Sequence, residues 1–512
     1  MSCVVAACAM SAGCAGNVLR ASTVEPLLRS SRVEQPPKRA ADILIVSDSH
    51  ASNPVAPHRS IVNSTVAGER LTHVAVRPPQ MDEWGPQILA WILQHNPGIV
   101  LHLGDASNIA CTNEFDRFLA VMEASHRPWV LAPGNHDAFM MGNYAAESAL
   151  ASGWLTECSS GARGDETMDK HRLLLRYLDA QHLGANHPDS RCTEWAAAPA
   201  SNPSPAAGLE RVRACFDPDA PHRSYLLQQV RVSEALRVLV LDTVVYDAPP
   251  TFLHEAGIHG GLGPDQPFVL GEWIEELRAR PSPPAILLAG HYALDHLDVA
   301  SQRALALVFA SYPVLGYLSG HEHDPTKELL HPDPTAPDRA LPEFNIGSVL
   351  DWPMEYARAW FERGAETTRL TFEVVSAGRE LDKAPTSRCD DTDTPASPET
   401  SWRAPDRPDP NPDGYTAYVA SLFHSLFYFL GNPAYQAAYA RMHARRHELV
   451  KDASASELAR YDRCQVRWAS EKEARTRLGR AGKETKWKGP TRATVVRSPE
   501  REQQVLEWTW AR

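Results

Sequence analysis

The sequence predicts an α/β fold of two mixed β-sheets packed face to face, with helices on the outside. Three observations carry the prediction. Five continuous apolar runs, the pattern of strands buried on both faces, recur along the first two thirds of the chain. Segments with helical periodicity lie between them. Beyond the fifth run come further strand-like segments, enough for a second sheet.

The elements follow in order. The chain has 512 residues, which is too long for one small core and suits one large domain with additions. Its N-terminus is small, apolar and uncharged up to Arg20. It is too short to span a bilayer and lacks the basic start of a secretory signal. The tetrapeptide "VAAC", ending at Cys8, resembles the lipobox of bacterial lipoproteins. Two readings stand for residues 1–40: a leader with a lipid anchor at Cys8 and a cell-envelope location, or a disordered tail on a cytoplasmic protein. The reading leans towards export. After the polar "QPPKR" the first run, "ILIVSDSH", begins the main domain, read as residues 41–380. "GIVLHLGDAS", "RPWVLAPGNHDA", "PAILLAGHY" and "VLGYLSGHEHD" repeat its plan, and "WGPQILAWILQH" and "FVLGEWIEELRAR" are helices between runs. Residues 138–224 read as an inserted cap with one helix, "MDKHRLLLRYLDAQHL", and no strong strand signal. "SYLLQQVRV" and "LRVLVLDTVVYD" form a hairpin through "SEA". "EFNIGSVLDW", "YARAWFE" and "RLTFEVV" are assigned to the second sheet. Residues 381–414, rich in Pro, Asp, Thr and Ser, read as a disordered linker. Residues 415–512 read as a helical C-terminal region whose "YVASLFHSLFYFL" is apolar all round and must be covered.

Composition removes several function classes. A net charge of −12 argues against a nucleic-acid binder, and no nucleic-acid module is recognised. No segment has the length and apolarity of a transmembrane helix. The nine cysteines include no CxxC pair, so zinc-finger chemistry is not indicated. Cys158, Cys192 and Cys215 fall in one segment and are expected to be buried free thiols, with a disulfide as the alternative.

All five runs end in Asp, Asn or His: Asp48 and His50, Asp105, Asn135 and His136, His291, and His321 with His323. Ligands of open α/β sheets gather at the carboxyl ends of the strands, so these side chains are expected to meet at one sheet edge. Imidazoles and carboxylates without a thiolate suit Mn, Fe, Zn, Co or Ni better than Ca. Two such ions about 3.5–4 Å apart need a shared carboxylate to offset their repulsion. His102, inside the second run, reads as a core residue. Asp295, His296 and Glu322 are expected near the site without binding metal.

The order D-x-H, GD, GNHD, GH, GHxH resembles the calcineurin-like metallophosphoesterase superfamily over about residues 42–378. "NIGS" from Asn345 and the helix "GEWIEEL" are also similar to that family. The resemblance implies a four-layer αββα sandwich and two divalent transition-metal ions. Asp48, His50 and His323 would hold the first ion and Asn135, His291 and His321 the second, with Asp105 bridging both. A metal-bridging hydroxide would hydrolyse a phosphoester, with Asp105 and His136 as the catalytic pair. His136 would act as general acid, Asn135 and His136 would contact substrate, and Asp137 and Asn108 would stand behind these ligands. The chain departs from two subfamilies. Its GD block runs "GDASNIA", so it lacks the GDxxDRG of protein Ser/Thr phosphatases, and Asn108 stands where purple acid phosphatases have a tyrosine. A phosphomonoesterase, a diesterase acting on nucleotide or lipid head groups, and an idle metal-binding scaffold remain as alternatives, and substrate and oligomeric state stay open. The G-x-S-x-G elbow of α/β hydrolases is absent.

Overall fold

The computed structural model of the chain describes residues 20–22, 41–51, 81–107, 110–138, 168–183, 191–196, 208–246, 260–312, 314–321, 327–331, 341–349, 355–365, 367–377 and 503–511. Among these, two mixed sheets are stacked with helices outside, as the apolar runs predict. The small sheet contains β2 (Ile43–Val46), β3 (Ile99–His102), β4 (Trp129–Leu131), β13 (Glu355–Arg363), β14 (Thr367–Ser376) and β15 (Gln503–Ala511), in the order β15-β14-β13-β2-β3-β4. The large sheet contains β1 (Arg20–Ser22), β5 (Cys192–Ala196), β6 (Leu209–Cys215), β7 (Tyr225–Ser233), β8 (Leu236–Leu241), β9 (Ala285–Ala289), β10 (Tyr317–Ser319), β11 (Lys327–His331) and β12 (Leu341–Asn345), in the order β1-β11-β12-β10-β9-β8-β7-β6-β5. The parallel strands are β2, β3 and β4 in one sheet and β8, β9, β10 and β12 in the other. These are the strands whose ends carry the polar side chains.

Alternation along the strands explains the layering. On β8, Leu236, Val238 and Val240 join the core shared by the two sheets. Leu239 and Leu241 join a second core on the opposite face. On β9, Leu287 and Ala289 face the shared core while Ile286 and Leu288 face the second one. The second core is completed by Val269, Trp273, Ile274 and Leu277 of α4 (Gln266–Arg278) and Leu305 and Phe309 of α5 (Val299–Ser311). The small sheet is buried in the same way by Ile88, Leu89 and Ile92 of α1 (Met81–His95) and Phe115, Phe118 and Met122 of α2 (Thr112–Ala124). Strands covered on both faces have no polar side, which is why they read as continuous apolar runs rather than as alternation.

Five expectations are corrected. The five runs do not end on one sheet: three belong to the small sheet and two to the large one, so their ends meet at the seam between the sheets. The segment ending at Asn345 joins the large sheet beside β10, whereas β13 and β14 extend the small sheet. The described part of the inserted segment does not stand apart from the sheets. Its strands β5 and β6 lengthen the large sheet, and its helix α3 (Lys170–Ala180) lies at the open edge of β4. There Gln181 Nε2 donates to the Trp129 carbonyl (3.1 Å) and Gln228 Nε2, from β7, to the Leu131 carbonyl (2.8 Å), so side chains cap the edge and tie the sheets together. Cys192 and Cys215, directly opposite each other on β5 and β6, form a disulfide rather than free thiols. Cys111 is also disulfide-bonded. Finally, residues Gln503–Ala511 are not helical: β15 pairs along β14 from Thr367↔Ala511 to Val375↔Gln503. In the leader, Arg20–Ser22 pairs with β11. Cys8, the linker 381–414 and residues 415–502, with "YVASLFHSLFYFL", lie outside the described residues.

Candidate metal centre

Each polar side chain reaches the seam because a strand stops and the backbone turns sharply. Asp48 (φ 54°), His50 (φ 43°), Asp105 (φ 55°) and His321 (φ 72°) all hold left-handed backbone, a conformation that costs a non-glycine residue about 1–3 kcal/mol and clusters at functional sites. The turns are zipped together past the ends of β2 and β3, with Asp48 N–H donating to the Gly104 carbonyl (3.0 Å) and His50 N–H to that of Asp105 (2.9 Å). Gly104 (φ 100°) is required there: a Cβ would lie 2.5 Å from His291 Nδ1.

Asp105 is 1 % exposed and sits at the centre. Its Oδ2 faces His50 Nε2 at 3.8 Å and its Oδ1 faces His291 Nε2 at 3.4 Å. Asp48 Oδ1 lies 3.9 Å from His50 Nε2, and its Oδ2 accepts the His321 backbone N–H (3.2 Å). Asn135 Oδ1 stands between His291 Nε2 (2.7 Å) and His321 Nδ1 (3.0 Å). Two groups result, His50–Asp105–His136 and Asp105–His291–His321, each with its donor atoms within 4.8 Å of one another. The half-buried His136 donates its backbone N–H to Asp105 Oδ1 (2.8 Å), and its ring stands edge-on to His50 at 4.8 Å. His323 and Asn108 lie outside the described residues.

The supporting residues were less visible in the sequence. Thr243 Oγ1 accepts the backbone N–H of both His291 (3.1 Å) and Tyr292 (3.0 Å). The Tyr292 ring packs on His321 at 4.4 Å. From the "NIGS" segment, Ser348 Oγ donates to the Asp48 carbonyl (3.0 Å) and Asn345 Nδ2 donates to Ser319 Oγ (3.2 Å). Asp137 accepts from Gly134 N, Ser107 N and Ser107 Oγ at 2.8–3.1 Å, bracing the loop that carries Asn135 and His136. Burial pushes its carboxyl up to about 6 against the pull of those bonds. Burial likewise pushes the His102 imidazole down to about 3, which keeps it neutral.

The donor set fits a divalent cation, and His291 supplies the test. Its Nδ1 is 2.7 Å from the Leu103 carbonyl, so that nitrogen carries the proton. The neutral ring then presents the lone pair of Nε2 to Asn135 Oδ1 and Asp105 Oδ1, both acceptors. A cation among these atoms reconciles them, and a ring N–H held by a backbone carbonyl is the usual support of a ligating histidine. Residues 41–185 match the profile of the family described as calcineurin-like phosphoesterase.

That stretch, under a third of the chain, is similar to a calcineurin-like phosphoesterase domain.

That family hydrolyses phosphoesters with divalent metal, and the phosphoesterase match covers three of the strand-end groups, those bearing Asp48 and His50, Asp105, and Asn135 and His136. His291 and His321 come from beyond the matched stretch and are brought to the same seam by the large sheet. No curated protein matches the chain.

Proposed function

We propose that this chain is a hydrolase that uses two divalent cations held side by side, with Asp105 shared between them. The observation that carries this reading is the division of Asp105, one oxygen towards His50 and the other towards His291. Asp48 and His50 would complete one cation site together with His323. Asn135, His291 and His321 would complete the other. When bound, such ions neutralise phosphate charge and lower the pKa of a coordinated water.

The chain's own residues do the rest. Asp105 Oδ1 fixes the His136 backbone, and the half-buried His136 ring, edge-on to His50, would protonate a departing alkoxide. The Asp137 brace holds that loop still. Tyr292 closes the far side against His321. The Cys192–Cys215 disulfide supports an oxidising compartment, such as the cell envelope, as the place of action. Among the described residues no helix is long and apolar enough to cross a membrane.

Elemental analysis of the purified protein, with a panel of phosphomonoesters and diesters assayed with and without Mn, tests the proposal. Two equivalents of metal and metal-dependent turnover are expected, and the panel separates monoesterase from diesterase. A single equivalent, or turnover unaffected by chelation, would refute it.

A further inference from the structure

We infer that His102 is a positioning residue that locks two metal-bearing turns to each other through Ser49. The inference rests on the reading that Asp48, His50 and Asp105 hold a cation. His102 ends β3 three residues before Asp105 and is fully buried, with its ring edge-on to Phe118 at 5.0 Å. A histidine placed there only for packing would leave two ring nitrogens to satisfy. Both are used. Nδ1 lies 3.3 Å from the Gly104 N–H, in the turn that carries Asp105. Nε2 lies 3.0 Å from Ser49 Oγ, in the turn that carries Asp48 and His50.

The proton positions follow from the partners. A backbone N–H can only donate, so Nδ1 is the acceptor. Ser49 Oγ donates its own proton to the Ala106 carbonyl (3.4 Å). It therefore accepts from Nε2–H. One neutral tautomer satisfies the whole set, and the relay runs from the Gly104 amide through the imidazole and the Ser49 hydroxyl to the Ala106 carbonyl. Its two ends lie on either side of Asp105.

The consequence lies in what Ser49 separates. It stands between two residues held in left-handed backbone, Asp48 and His50. Ser49 is 1 % exposed and its hydroxyl is drawn into the core. With that side chain held inward, its neighbours on both sides turn towards the seam, where Asp48 and His50 approach each other and Asp105. His102 thus acts through Ser49 and Gly104, fixing the direction of two ligand side chains and the height of a third.

The test is a cobalt(II) titration of the full, metal-stripped chain, read by calorimetry and by the visible absorption of the bound ion. Wild type, Ser49→Ala, His102→Phe, His102→Gln and the Ser49→Ala/His102→Phe double variant are compared. Loss of an outer partner of a metal ligand typically weakens binding about 10–100-fold. Each of Ser49→Ala and His102→Phe is expected to weaken binding by that order, with an altered cobalt spectrum. The double variant should bind no worse than the weaker single one, because both remove the same bond. His102→Gln, whose amide N–H reaches as far as Nε2–H, should recover part of the loss. Unchanged affinity in Ser49→Ala, which removes one hydroxyl and leaves the core packing intact, would overturn the inference even if His102→Phe fails to fold. Multiplicative losses, or a glutamine variant no better than phenylalanine, would reduce His102 to a packing residue. Failure of the wild type to bind cobalt would instead remove the metal-site reading on which the inference stands.

Discussion

Lys170→Met should destabilise the protein in a pH-dependent way. Lys170 opens α3, and its ammonium is fully buried 2.8 Å from Asp242 Oδ1 and 2.9 Å from the Val244 carbonyl. Asp242 is equally buried and also accepts the backbone N–H of Leu226 and Val244, both at 3.1 Å. Removing one partner of such a pair costs about 3–5 kcal/mol. A second route gives a similar figure. The stranded carboxyl can escape its charge by staying protonated, at about 1.4 kcal/mol per pH unit above its ordinary pKa of about 3.9, or roughly 4 kcal/mol at pH 7. Burial already raises the Asp242 pKa, with Lys170 the strongest influence pulling it down. Without Lys170 it rises further. Between the unfolded and the folded pKa the folded chain then holds the extra proton, so stability falls as pH rises through that window. The gap between wild type and variant should begin to widen only above the wild-type Asp242 pKa, by up to about 1.4 kcal/mol per pH unit, until the variant's own higher pKa is passed. Denaturant unfolding of the metal-free proteins at pH 5, 6, 7 and 8 measures it. Lys170→Met/Asp242→Asn should recover at least half of the loss, since asparagine still accepts the two backbone bonds. A gap below about 1 kcal/mol at pH 7, or one that does not change with pH, would show that burial of this pair has been misjudged.

Other outcomes follow from the same geometry. His136→Asn should retain both metals yet lose about 10²–10⁴-fold on alkyl phosphoesters and far less on nitrophenyl esters, whose leaving group needs no proton. Equal losses on both would mean that the ring positions phosphate instead. Asp105→Ala should be the most damaging ligand change, abolishing turnover and lowering metal content, as elemental analysis would report. Opening the 23-residue span between Cys192 and Cys215 with Cys192→Ala/Cys215→Ala should lower unfolding free energy by about 3 kcal/mol, measured by denaturant titration beside the reduced wild type. Ending the chain at Glu502 removes β15 and leaves β14 as an open edge. Light scattering should detect association of that truncated protein, and a monodisperse product as stable as wild type would show that the last strand is dispensable.

Much of the site was legible because strand ends announce themselves. An apolar run followed at once by Asp48, Asp105, Asn135, His291 or His321 marks both the strand and the side chain it delivers. Helices α1, α3 and α4 and the hairpin of β7 and β8 were equally plain, through periodicity and a short polar turn, whereas α2 and α5 went unread. Sheet membership was not legible. A run such as "ILIV" or "AILLA" is buried on both faces and carries no sign of its neighbour, so the split of the five strands between two sheets needed the register. Strands β5 and β6 escaped notice because they bear Glu194, Arg211 and Arg213 on the outer side of an edge hairpin, where ion pairs replace apolar contacts. In β15, "QQVLEWTWA" alternates well, but it follows a stretch rich in Arg and Lys that reads as a solvated helix. The role of His102 was hidden for another reason. Its type fits a core position, and only the partners of its two nitrogens, one on each of two turns, distinguish a support from a filler.

The late position of β15 also bears on how the chain is made. Its partner β14 ends at Ser376, and more than a hundred residues must be synthesised before Gln503–Ala511 emerges. At about 5–20 residues per second, that is an interval of roughly ten seconds. During it β2, β3, β4, β13 and β14 already exist, and the five strand-end groups of the seam can assemble. The small sheet, however, still ends in an unpaired strand. A nascent chain can thus hold the described candidate metal-binding side chains while presenting the ten-residue β14 as an open edge to any neighbour on the same messenger, and a stall between Ser376 and Gln503 would leave that edge free to pair with another copy.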